Sequence, residues 1–196
     1  MLFGNFLIAT IFGFLGSLQP GNVNTLVIND AFTDNKRRAF NIAIGGSMVQ
    51  GLGAWLVARG LSDSLKIPDI SFILFSLVSI ALGLYYFLKK NIPKLNKESN
   101  INNKLGILKG MTMAFINPQI LPFWAFIWVT FGIKNNNLSN SSSFIFSFGA
   151  FLGTLSVLTT LIILSNRLKS FDLSVINRIT GSVLIFVGIL AFIKWM

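Results

Sequence analysis

The sequence predicts an all-α integral membrane protein of six transmembrane helices, built as an inverted 3+3 repeat. Three observations lead there. Of 196 residues, 53% are hydrophobic and only 11% are charged, whereas soluble domains carry roughly 25% charged residues. The uncharged stretches are long, at 1–29, 39–58, 70–88, 110–133, 135–166 and 179–193, and a spanning helix needs about 20 apolar residues. The second half also echoes the first, so that 1–196 reads as one transmembrane domain with repeats at 1–90 and 105–196.

The first helix is expected near 3–29. It has no basic segment before its apolar run and no small-residue cleavage site after it, so it reads as a retained span rather than a signal peptide. Within it lies Gln19-Pro20-Gly21-Asn22-Val23-Asn24. Pro20 removes a donor and frees a carbonyl one turn earlier, and Gly21 lets the backbone open further. Asn22 and Asn24 place amide donors and acceptors beside that break. Irregular backbone at membrane depth is tolerated only where it is buried in protein or lines a cavity. Asp30 and Asp34 follow, then Lys36, Arg37 and Arg38. The basic trio reads as a topology anchor, and Asp30 as a helix-end or ion-pair residue before a proton or amine site.

The second helix, near 39–60, carries Gly45-Gly46, Gly51-x-Gly53 and Gln50. Glycines at such spacing let helices approach closely. Gln50 is the only long polar side chain there, equally suited to joining helices and to binding a solute. The third helix is expected near 69–89, followed by a connection rich in Lys, Asn and Pro over 90–107. The fourth, near 108–132, contains Asn117-Pro118-Gln119 with Pro122 one turn on. Phe123, Trp124 and Trp128 beside it read as packing and interface aromatics. A polar connector over 134–143 leads to the fifth helix, near 142–165, which carries Gly149-x-x-x-Gly153. The sixth, near 174–195, has Arg178 and Lys194 flanking its apolar run, where both can snorkel.

The repeat rests on several matches. Residues 80–89 and 185–194 are identical at four of ten positions, at an offset of 105. Helices two and five share glycine clusters, and helices one and four share the proline breaks. Three helices per half make the halves opposite in orientation, which suits alternating access around a central site.

Charge sets the expected topology. The connections after helices one, three and five hold 12 of the 16 basic residues. The positive-inside rule puts that side in the cytoplasm and both termini outside an inner membrane. The net charge of +10 is thus explained by topology, and no nucleic-acid partner is expected. The chain has no cysteine and no histidine. It has no Walker loop, zinc cluster, paired intramembrane carboxylates or Ser-His pairing. No enzyme activity, metal or cofactor is therefore expected. Lipid is an expected partner, and a homo-oligomer is compatible with the pattern.

With these motifs the chain resembles the LysE superfamily of amino-acid exporters, in its RhtB-like branch. Pro20-Gly21-Asn22-Val23-Asn24 is similar to the family's Pro-Gly-Pro-Asn type motif. Asn117-Pro118-Gln119 is similar to its Asn-Pro-Lys type motif. Asn35-Lys36-Arg37-Arg38 leading to Gly45-Gly46, and Asn177-Arg178-Ile179-Thr180-Gly181, fit its remaining pattern. The resemblance covers the whole chain. It implies a secondary transporter exporting an amino acid or similar metabolite, driven by proton motive force. Three departures stand out. Asn22 replaces a proline, Gln119 replaces a frequent lysine, and Gln50 stands where some relatives carry an acid. The expected substrate site joins Pro20, Gly21, Asn22, Asn24, Gln50, Asn117, Pro118 and Gln119. Export of another solute, or a non-transporting membrane scaffold held by amide contacts, are the competing readings.

Overall fold

The computed structural model describes residues 2–18, 21–62, 69–88, 105–117, 119–131, 140–168 and 173–195. The described residues form eight helical segments and a few short turns. These are α1 (Leu2–Ser17), α2 (Asn22–Phe32), α3 (Lys36–Ser62), α4 (Asp69–Leu88), α5 (Gly106–Phe115), α6 (Ile120–Thr130), α7 (Asn140–Leu168) and α8 (Leu173–Trp195). Four of the six expected helices are continuous. The first and fourth are each divided, at the two proline motifs, because proline cannot donate to the helical ladder and Gly21 favours opening of the backbone. The axes of α1 and α2 diverge by 69°. By length and apolar character α3 and α7 can each cross a membrane, and α1 with α2 makes a third span if the pair is counted as one. Pro20 and Pro118 lie outside the described residues.

Tight turns and small residues fix the arrangement. The chain reverses between α2 and α3 through Asp34, whose φ of 61° is left-handed, a conformation that Asp tolerates better than most residues. Asn35 N–H donates to the Asp30 carbonyl at 2.9 Å, and Asn35 Oδ1 accepts the Arg38 N–H at 3.3 Å, capping α3. Beneath this turn Arg38 Nε lies 3.2 Å from Asp30 Oδ2, with both side chains buried. Arg38 is therefore not a simple topology anchor as the sequence suggested. Lys36 and Arg37 are exposed and keep that role available.

Three helix pairs pack closely at glycines, where no side chain intervenes. α5 lies on α3, where a Cβ on Gly45 would strike the Ile107 carbonyl and one on Gly110 the Ile42 carbonyl. α1 lies on α7, where a Cβ on Gly149 would come within 2.6 Å of the Phe6 carbonyl and one on Gly153 would strike that of Thr10. α4 lies on α8 through Gly83 and Gly188. A Cβ on Gly83 would meet Ile185 and the Gly181 carbonyl, while one on Gly188 would meet Ile80 and the Ser76 carbonyl. At the offset of 105 these contacts are reciprocal, since 83, 80 and 76 map onto 188, 185 and 181. Ser76 Oγ also donates to the Gly188 carbonyl at 2.8 Å. Away from these seams large apolar side chains face outward, among them Phe3, Leu88, Phe144 and Ile163, each at least 65% exposed. Such a surface suits lipid.

Gly110→Val is expected to lower the unfolding temperature in detergent, with a cost of about 1–3 kcal/mol from overpacking. The obstructing atom is a backbone carbonyl, so a rotamer change cannot relieve the clash. An unchanged melt would show that α3 and α5 can separate freely.

Two apolar clusters hold the centre. One joins Ala54, Val57 and Ala58 of α3 with Ile120, Trp124, Phe126, Ile127 and Trp128 of α6 and Phe146 and Ala150 of α7. The other joins Val27 and Ala31 of α2 with Ala39, Ile42 and Ala43 of α3 and Leu158 and Ile162 of α7.

Candidate functional site

A cavity of about 270 Å³ lies where the two divided helices meet α3 and α7. The described residues of the expected site all line it: Gly21, Asn22 and Asn24 at the first break, Gln50 on α3, and Asn117 and Gln119 at the second break. These positions come from three separate stretches of chain. Small residues make the space, with Gly13 and Gly16 on α1, Gly46 on α3 and Ala114 on α5 all lining it.

The polar groups are fixed by specific bonds. Asn24 is buried, and its Nδ2 donates to the Ser17 carbonyl at 2.6 Å. That carbonyl ends α1, where no helical N–H among the described residues reaches it, so Asn24 closes the break from the other side. Ser17 Oγ donates to Thr154 Oγ1 at 2.9 Å, which ties the end of α1 to α7. Thr154 Oγ1 in turn lies 3.5 Å from the Gly13 carbonyl. At the second break Asn117 Oδ1 accepts the Gln119 N–H at 3.1 Å, a local turn typical of Asn. Asn117 N–H donates to the Ala114 carbonyl at 3.0 Å.

Gln50 is held from the side. Trp124 Nε1 donates to Gln50 Oε1 at 2.9 Å. Trp124 is fully buried and packs edge-on against Phe123, at 5.2 Å, and Phe146, at 5.5 Å between ring centroids. Phe123 covers Gly16. Trp128 packs edge-on against Phe146 at 5.0 Å and does not line the cavity. The aromatics thus divide into packing, for Trp128, and cavity wall, for Phe123 and Trp124. Ser17, Thr154 and Trp124 were not among the expected site residues. A serine or threonine in an apolar helix gives no sequence signal of its own, because it can satisfy itself on the preceding turn, as Ser47 does on the Ala43 carbonyl.

Two helices end at the cavity and two begin there. α2 and α6 start without a side-chain cap hydrogen bond from Gly21 and Gln119, and the N–H of Gln119 itself is held by Asn117 Oδ1. No Asp, Glu, Lys or Arg lines the cavity among the described residues. Asp30 is not a lining residue either; it is paired with Arg38. No group of three or more potential metal ligands occurs among the described residues.

A family model for the LysE type translocator matches residues 14–194. No curated protein and no solved structure gives a significant match. The family match spans nearly the whole chain, including both breaks and the cavity between them. The chain belongs to the LysE type translocator family, and is a multi-pass membrane exporter of small solutes.

Proposed function

We propose that this protein exports an amino acid or a close analogue across the inner membrane, driven by proton motive force. One observation carries the reading: the polar residues Asn22, Asn24, Gln50, Asn117 and Gln119 converge on a single cavity between two broken helices. Broken helices at a central site are a recurring device of secondary transporters, because helix starts offer N–H groups and helix ends offer carbonyls without a permanent charge. A zwitterion needs both.

Six spans and an inverted repeat of 1–90 on 105–196 complete the proposal. The reciprocal contacts of Gly83 with Ile185 and Gly188 with Ile80 support it, since a two-fold relation makes each contact occur twice. The related seams, α1 on α7 and α5 on α3, support it too. In this arrangement the two halves rock against each other around the cavity, with both termini outside.

The competing scaffold reading draws support from Asn24, whose amide is engaged in closing the helix break. Asn24→Leu is therefore expected to reduce stability as well as flux. Asn117→Leu discriminates better, because its amide nitrogen stays available after Oδ1 has accepted the Gln119 N–H. Cells preloaded with dipeptides that release single amino acids test the proposal. Expression should give a saturable efflux of at least one amino acid, abolished by an uncoupler and cut at least tenfold by Asn117→Leu. The variant should melt within a few degrees of the parent. No efflux with the protein present and folded would favour the scaffold.

A further inference from the structure

We infer that the cavity selects solutes of zero net charge, with Gln50 Nε2 as a fixed donor for the solute's carboxylate or other oxyanion end. The inference rests on the export reading and deepens it. Its first support is the direction of Gln50. An indole N–H can only donate. The 2.9 Å bond from Trp124 Nε1 therefore fixes which end of the amide is oxygen and turns the nitrogen away from the tryptophan. No protein acceptor for that nitrogen occurs among the described residues, and Gln50 is half-buried on the cavity wall. The same logic applies at Asn117. A backbone N–H holds its Oδ1, so Nδ2 is the atom left to donate. Two neutral donors are thus oriented by partners that accept no alternative.

The second support is the lack of charge. No lining residue among those described is ionisable, and Gln19, Pro20 and Pro118 are neutral by identity. A solute carrying net charge would leave water for a site with no counter-charge, which is costly. A zwitterion brings its own. The buried charges nearest in the chain, Asp30 and Arg38, are engaged with each other. Trp124 is the positioning residue in this scheme, since it acts through Gln50.

Purified full-length protein in liposomes gives the test, by counterflow of labelled alanine, serine and leucine against lysine and glutamate. The expected result is exchange of at least one neutral amino acid, with lysine and glutamate at least tenfold slower. Gln50→Glu keeps the shape and still accepts the Trp124 N–H, so charge is the main change. It should raise the lysine-to-neutral rate ratio at least tenfold while the protein still melts cooperatively. Trp124→Phe should raise KM for the neutral solute severalfold, with a smaller effect on the maximal rate, because it frees Gln50 to rotate. Exchange by the parent protein that does not discriminate charge overturns the inference and leaves the export reading standing. A Gln50→Glu ratio equal to the parent's also overturns it. No exchange of any of the five solutes by folded protein sinks the inference together with amino-acid export.

Discussion

Arg38→Leu is expected to destabilise the protein by about 3–5 kcal/mol. The cause is the carboxylate left behind. Asp30 is 4% exposed as a residue and Arg38 2%, so water cannot replace the lost guanidinium. The damage should concentrate where α2 turns into α3, since the pair spans that turn and Arg38 sits in the first turn of α3. Asp30→Asn should be harmful too, by stranding the guanidinium. The double substitution should recover much of the loss, with a coupling of about 2–3 kcal/mol in a double-mutant cycle. Unfolding of the four proteins in detergent measures it. Lys36→Leu and Arg37→Leu give the contrast, because both side chains are exposed and should cost about 0.5 kcal/mol or less. Purely additive losses from Asp30→Asn and Arg38→Leu would mean that the two charges are stabilised separately.

The same pair marks the limit of what the sequence discloses. Lys36, Arg37 and Arg38 are equivalent by composition and position, and all three count alike under the positive-inside rule. Only helix geometry separates them, by pointing Arg38 inward between α2 and α3. The helices themselves were legible for a simple reason. Long uncharged stretches have few alternatives in a membrane, and the expected bounds fall within a few residues of α3, α4, α7 and α8. The breaks were legible as well, because proline, glycine and asparagine together are costly in hydrocarbon unless the backbone has somewhere to go. Their convergence was less so. That Gln50 meets the breaks depends on α5 lying against α3, which the carbonyl contacts at Gly45 and Gly110 permit. Sequence showed the glycines but not which helix fills the gap. Trp124 was the least legible. A tryptophan in an apolar helix usually anchors at an interface or fills a core, and nothing local announces that its N–H will find an amide 74 residues away.

Trp124→Ala is the second large effect, and its two consequences separate the roles of this side chain. Removing a fully buried tryptophan costs about 3–5 kcal/mol in a packed interior. Here the loss includes edge contacts to Phe123 and Phe146 and the donor to Gln50. The vacated volume also adjoins a cavity of about 270 Å³, so neighbouring side chains cannot easily close it, and water can enter. Flux of the favoured solute should fall at least as far as in Asn117→Leu. Trp124→Phe keeps an aromatic ring against Phe146 but loses the N–H, so its stability loss should be much smaller, about 1–2 kcal/mol. The order of unfolding temperatures should therefore run parent, Phe variant, Ala variant, while discrimination among solutes is already weakened in the Phe variant. If both variants melt alike and low, the indole N–H matters to the fold as much as the ring does. If the Ala variant melts like the parent yet carries no solute, Trp124 acts at the solute and not in the core, and the apolar cluster around Phe146 holds α6 to α7 without it.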